Sequence, residues 1–180
     1  IALNYLPEKN SSSISIQGGG SDLKFPHHYM TAVQARAATG KQFSHLYLHC
    51  GMIGLDGEKM SKSKGNLVFV SKLLQSGISP MAIRIALLWR HYRADTMWSD
   101  SILEAASALI ERLNLNLSRT EVAPTSNVIQ EIVDALAHDL DTVKVFEILK
   151  SWCSDTESGK IGGEAGELSR ALDLYLGVAL

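Results

Sequence analysis

Ser13-Ile14-Ser15-Ile16-Gln17-Gly18-Gly19-Gly20-Ser21-Asp22 decides how this chain is read. Its first five residues alternate polar and apolar, the period of a strand with one covered face. The three glycines that follow leave no side chain to block a close backbone approach. Pro26 suits the first position of a helix running to about Thr39, with Gly40 as its stop. Leu46, Leu48, Cys50 and Met52 then alternate as a second strand. Strand, glycine turn, helix and strand in that order form an α/β pattern. At the strand ends of open α/β sheets, backbone amides and a carboxylate can meet a nucleotide, and Asp22 could accept hydrogen bonds from ribose hydroxyls. The plainer alternative is a glycine turn with a capping aspartate.

Outward from this segment the chain turns helical. Leu67-Val68-Phe69-Val70 is a short apolar run leading into a helix near Ser71 to Gln75, and Ser79-Pro80 opens another through Arg90. Ser101 and Glu104 have capping-box spacing ahead of Leu103, Ala106, Leu109, Ile110, Leu113 and Leu117 at helical intervals. Residues 118–127, with Pro124 and several Ser and Thr, read as a linker. Three amphipathic helices follow, marked by Val128 to Leu136, by Val143, Phe146 and Leu149, and by Leu168, Leu172 and Tyr175. Upstream, residues 1–6 look helical up to Pro7, and Glu8 to Ser13 is a loop. The expected fold class is α/β followed by all-α, with boundaries at 1–77, 78–118 and 119–180.

Of 180 residues, 46% are apolar and 20% charged, the profile of an ordinary globular protein. No apolar run approaches the roughly 18 residues that span a bilayer, which argues against a membrane partner. The start, Ile1-Ala2-Leu3, lacks a signal-peptide layout and reads as chain cut from something longer. Two distant cysteines, Cys50 and Cys153, suit a reducing cytoplasm better than a disulfide framework. Residues 1–118 carry 12 Lys/Arg against 8 Asp/Glu, whereas residues 119–180 carry 5 against 11. Gripping nucleic acid needs a basic surface that displaces counterions, so the acidic C-terminal third argues against it.

Two further stretches carry chemistry. Gly57-Glu58-Lys59-Met60-Ser61-Lys62-Ser63-Lys64-Gly65-Asn66 is a cationic, hydroxyl-rich loop. Mobile ammonium groups and serine hydroxyls suit a pyrophosphate, whose charge builds during nucleotidyl transfer. By charge alone it would be a solvated turn. In Phe25-Pro26-His27-His28, adjacent helical positions diverge, so at most one histidine would be a first metal ligand; a plain surface or core pair is the alternative. Cys50, in a strand-like run, is expected to be packed and not ligating.

Gln17 to His28 and Gly57 to Asn66, in this order and about a helix and a strand apart, strongly resemble the cysteinyl-tRNA synthetase family of class I adenylate-forming ligases. The resemblance continues through His91-Tyr92-Arg93 and Asp139-Leu140-Asp141-Thr142. It implies that residues 1–77 are the C-terminal part of a Rossmann-like nucleotide-binding catalytic domain, that 78–118 connect, and that 119–180 are a helical bundle. Two branches share this scaffold: one charges cysteine tRNA, the other joins cysteine to the amine of glucosaminyl-inositol in the mycothiol pathway. Three features resemble the second. Where the tRNA branch completes a zinc site with glutamate four residues after the first histidine, this chain has Thr31. The ending, Leu176-Gly177-Val178-Ala179-Leu180, resembles that branch's terminus and leaves no anticodon-binding region, and the helical part is acidic. Met52-Ile53-Gly54-Leu55-Asp56-Gly57 is also closer to it.

The resemblance implies that L-cysteine and ATP, with magnesium, form cysteinyl adenylate, which the sugar amine attacks to release AMP. Gly20, Ser21 and Asp22 would contact the adenylate, Ile53 would line the adenine pocket, and Lys59, Met60, Ser61, Lys62 and Ser63 would hold the nucleotide. Lys59 and Lys62 would be catalytic, serving the departing pyrophosphate. His27 would be a zinc ligand, the zinc selecting cysteine through its thiolate. His28 and Tyr29 are left structural or unassigned. The remaining zinc ligands and a second nucleotide loop are expected from a missing N-terminal half, in cis or in trans, so the isolated chain is expected to be inactive. The readings beside this one are a cysteinyl-tRNA synthetase, a non-catalytic remnant, and one half of a split enzyme.

Overall fold

The computed structural model describes residues 13–180, so the helix expected over residues 1–6 and the loop after it lie outside the described residues. The chain forms two compact units, one of residues 13–54 with 92–96 and one of residues 55–91 with 97–180. As expected, α/β structure gives way to helices.

In the first unit, strands β1 (Ile14–Gly20) and β2 (Ser44–Cys50) run parallel. Ile16 lies opposite Leu46, Gly19 opposite His49 and Gly20 opposite Cys50. The glycines therefore belong to the strand itself instead of forming a turn after it. Helix α1 (Tyr29–Thr39) connects the strands and ends at Gly40, as the sequence suggests. Its start differs from expectation. Phe25 is extended at φ −139° and ψ 135°, the region favoured before proline, so the path breaks at Pro26 and the helix begins three residues later. Short turns over Ser21–Leu23 and Lys24–His28 fill the gap.

A three-stranded sheet has the order β4-β3-β5, with β3 Ile53–Leu55, β4 Glu58–Lys59 and β5 Thr96–Trp98. Asp56 and Gly57 both have positive φ, 52° and 82°, so β3 and β4 are joined by the two-residue hairpin that such a pair favours.

Six helices build the second unit: α2 (Val70–Gln75), α3 (Pro80–Leu88), α4 (Asp100–Leu117), α5 (Ser126–Ala137), α6 (Thr142–Glu157) and α7 (Ala165–Leu176). Leu113, Ile132, Leu149, Trp152, Leu168 and Leu172 are almost wholly buried in its core. The capping serine of α4 is Ser99, which accepts from the Ile102 N–H at 3.4 Å; the expected box on Ser101 is not the cap. Residues 118–125 differ from a free linker, since Val122, Ala123 and Thr125 are buried. The Trp152 indole donates to the Ala123 carbonyl at 3.1 Å, and the Ala123 N–H donates to Thr156 Oγ1 at 3.1 Å. No helix among the described residues is long and apolar enough to cross a membrane.

Candidate functional site

Parallel strands present their carboxyl ends together, and there the first unit gathers Gly20, Ser21 and Asp22. A Cβ on Gly20 would stand 2.6 Å from Asp22 Oδ1 and 3.3 Å from Met52 Sδ; one on Gly19 would stand 2.7 Å from His28 Cε1. Here glycine makes room for the site's own side chains. Ser21 and Asp22 are exposed, and Ile53 is half-buried just beyond Met52. Residues 92–96 run beside the end of β2, as the Gly51 N–H donates to the Tyr92 carbonyl at 2.7 Å and the Thr96 N–H to the Met52 carbonyl at 2.9 Å. Asp95 Oδ1 accepts from the Met52 N–H at 2.6 Å.

The two histidines part company. His28 is buried, while His27 is exposed. Gln17 Nε2 donates to His28 Nε2 at 3.1 Å, and His28 Nδ1 donates to His49 Nε2 at 2.9 Å. That direction requires His49 to accept as a neutral imidazole. Its environment agrees: partial burial first, then His28 and the Lys24 ammonium, hold its pKa below the usual histidine value. Sequence reading missed Gln17 and His49. The signal was the parallel register, which sets His49 opposite Gly19.

A zinc site is not assembled by the described residues. No group of three His, Cys, Asp or Glu side chains among them could hold a metal. His27 offers one donor, and the Thr31 hydroxyl is committed to the His27 carbonyl at 2.9 Å. Cys50 ends β2 exposed, which corrects the expectation that it is packed.

The lysine loop belongs to the second unit. Ser61 is extended, Lys62–Lys64 form one tight turn and Gly65 closes it at φ 68°. Asn66 fixes the loop from inside: its Oδ1 accepts from the Ser61 N–H at 2.9 Å, and its Nδ2 donates to the Lys59 carbonyl at 3.3 Å. Ser61 and Ser63 share a hydroxyl hydrogen bond at 3.3 Å, and Met60 is half-buried. Glu58 neutralises Lys64 at 2.8 Å. Lys62 is exposed and has no such partner among the described residues, so its ammonium remains available to an incoming anion. Gly20, Ser21, Asp22, His27 and Ile53 thus lie on one unit, and Lys59 to Ser63 on the other.

Residues 4–108 match the family model of the class I (C) tRNA synthetase catalytic domain. Several curated relatives share the name L-cysteine:1D-myo-inositol 2-amino-2-deoxy-alpha-D-glucopyranoside ligase. The one from Streptomyces coelicolor is 48% identical over 100% of this chain and 44% of its own length. That of Nakamurella multipartita is 52% identical over 93% and 40%, and that of Gordonia bronchialis 43% identical over 100% and 43%. The chain therefore spans less than half the length of these relatives. Among solved structures, a LeuRS of Agrobacterium radiobacter, crystallised in a ternary complex with tRNA and LeuAMS, matches with a TM-score of 0.65 at 22% identity. That match covers 91% of this chain and 26% of the LeuRS, and it is a likeness of fold.

Proposed function

Since the chain belongs to the family of class I (C) tRNA synthetase catalytic domains, we propose that it forms part of an ATP-dependent, AMP-forming ligase that activates L-cysteine and transfers it to the amine of glucosaminyl-inositol. The observation that carries this reading is the 43–52% identity to relatives named as that ligase, over nearly the whole of this chain. The cysteine carboxylate attacks the α-phosphorus of ATP, pyrophosphate leaves, and the sugar amine then displaces AMP from the activated carbonyl.

Each part of the chain has a task in that sequence. Gly20, Ser21 and Asp22 hold the adenylate at the strand end, Asp22 through the ribose hydroxyls, with Ile53 beside the adenine. Met60, Ser61 and Ser63 shape the loop from which Lys59 and Lys62 meet the pyrophosphate. Lys62 carries the stronger role, because a compact cation without an ion-pair partner can follow charge as it moves to the leaving group. His27 supplies at most one donor to a metal, so no step here runs through zinc. Residues 1–180 alone are expected to be inactive, and the site is complete only with polypeptide of the kind the relatives carry in addition.

The test is a chimera in which this chain replaces the matching portion of the Streptomyces coelicolor relative. ATP- and cysteine-dependent AMP release is expected with glucosaminyl-inositol and not with cysteine tRNA. The opposite acceptor preference would make the chain part of a tRNA synthetase, and no AMP with either would favour a non-catalytic remnant. In the active chimera, Lys62→Ala is expected to slow adenylate formation by about 10²–10³, with transfer from preformed adenylate little changed. Equal slowing of both steps would remove Lys62 from its assigned role.

A further inference from the structure

Beside the adenylate residues, the first unit contains a cavity of about 220 Å³ that shares Ser21 with them and is otherwise lined by side chains given no role above. Ser21, Lys24, Tyr47, His49, Tyr92 and Arg93 line it, and none of its lining residues is acidic. Two cations therefore face a space too small for a whole nucleotide but ample for one anionic group. The setting is the one where ligands bind in parallel sheets, outside the carboxyl ends of the strands. Its walls are held in place. Arg93 Nε donates to the Tyr92 hydroxyl at 2.8 Å, and the guanidinium lies 5.4 Å from the Tyr92 ring centre. The Gly51 N–H, bonded to the Tyr92 carbonyl, ties this pair to the end of β2. The Lys24 ammonium has no hydrogen-bond or ion-pair partner among the described residues. His49 accepts from His28 and so brings a neutral ring to the wall.

We propose that this pocket binds a phosphoryl group, with Lys24 and Arg93 as its cationic donors and the Ser21 hydroxyl as a third. A phosphoryl group presents three oxygens to donors from several directions, which two multi-donor cations and a hydroxyl can serve together. The Arg93 guanidinium is planar and oriented by the Tyr92 hydroxyl, whereas the Lys24 ammonium is a compact charge on a flexible stem that can close on the anion. The site's residues are other than Lys59 and Lys62, to which the pyrophosphate contacts were assigned. It is read from its own lining and stands whichever acceptor the ligase uses.

The experiment is a titration of the 180-residue chain with inorganic phosphate, AMP and adenosine, following the ring resonances of Tyr47 and His49 by NMR. Phosphate is expected to shift both rings saturably and adenosine not to displace it. Lys24→Gln and Arg93→Gln are each expected to weaken phosphate by about tenfold, the scale of one charge-assisted hydrogen bond. Arg93→Lys is expected to recover most of that loss. AMP binding tenfold or more tighter than phosphate would make the phosphoryl group the nucleotide's own; AMP no tighter would assign it to another ligand. Phosphate that shifts neither ring, or that binds both glutamine variants as well as the parent, overturns the proposal. Lys24 is exposed, so its variant keeps the test decisive even if Arg93→Gln fails to fold. A chimera without acceptor transfer whose phosphate binding persists would sink the ligase reading and leave the pocket standing.

Discussion

The two units differ in where their apolar side chains are. In the helical unit Leu113, Leu168 and Trp152 are at most 1% exposed, and every buried apolar residue among the described residues lies between Ala82 and Val178. In the strand unit Phe25, Ile16 and Tyr29 are 71%, 57% and 56% exposed, and the buried side chains are the polar His28 and Ser44. Parallel sheets are ordinarily covered on both faces and run to more than two strands. The adenylate-type residues therefore sit on a unit ordered by hydrogen bonds, while cohesion resides in the unit that carries the lysine loop.

The harshest way to break this contrast is to truncate one large side chain in each unit. Trp152→Ala removes a core indole and its bond to the Ala123 carbonyl, and is expected to cost about 3–5 kcal/mol of unfolding free energy. Ile16→Ala, at an exposed position, is expected to change it by less than about 0.5 kcal/mol. Urea unfolding followed by far-UV circular dichroism measures both. Similar losses would mean that the strand unit holds a core of its own.

The two thiols sharpen the same contrast chemically. Cys50 is exposed, whereas burial, as the leading cause, pushes the Cys153 thiol up to about 11. A disulfide reagent at neutral pH is expected to modify Cys50 at once and Cys153 at least about a hundredfold more slowly, because only an accessible thiolate reacts. Fast stoichiometric modification of both would show that the helical core opens readily.

How much of this was legible depends on how local its cause is. The helices of the second unit follow from apolar residues at helical spacing, so Leu103, Leu109, Leu113 and Leu149 could be read as a core directly. Asp56-Gly57 was equally local and passed unread, although both residues take the positive φ of a tight hairpin. Residues 118–125 misled because Pro, Ser and Thr look solvated, while their burial depends on Trp152 and Thr156, about thirty residues away. At the candidate site the sequence supplied Gly20, Ser21 and Asp22. It assigned no role to Gln17, His49 or Arg93, whose places depend on strand register and a return of the chain at residues 92–96.

The start of α4 gives a finer test inside the helical unit. Capping-box spacing named Ser101, but Ser99 accepts the helix N–H. Ser99→Ala is expected to cost about 1 kcal/mol, the usual cost of a lost N-cap. Ser101→Ala, which loses a hydroxyl contact to Ser99 at 2.9 Å, is expected to stay within about 0.5 kcal/mol. Reversed values in thermal melts would restore the box.

The smallest effect lies at the edge of the helical core, and it has a pH sign. Arg112 grips Glu157 through Nε and Nη2 at 2.7 and 2.6 Å, and Asn116 Nδ2 donates to the same carboxylate at 3.0 Å. These bonds, Arg112's first, lower the Glu157 pKa to about 2 from an ordinary 4.5. A depressed carboxylate binds fewer protons folded than unfolded. Its contribution is therefore complete above about pH 4.5 and is lost as pH falls through about 2. Both side chains are more than a third exposed, so water and salt screen the pair and the effect is modest. Melting temperatures of the parent and Glu157→Gln are expected to differ most above pH 4.5 and to converge in acid, with a smaller gap at high salt. A gap that ignored pH would mean that packing around the Asn116 amide, not the charge on Glu157, secures this edge. Acid would then find the contrast between the units unchanged, where the carboxylate account requires it to narrow from the helical side.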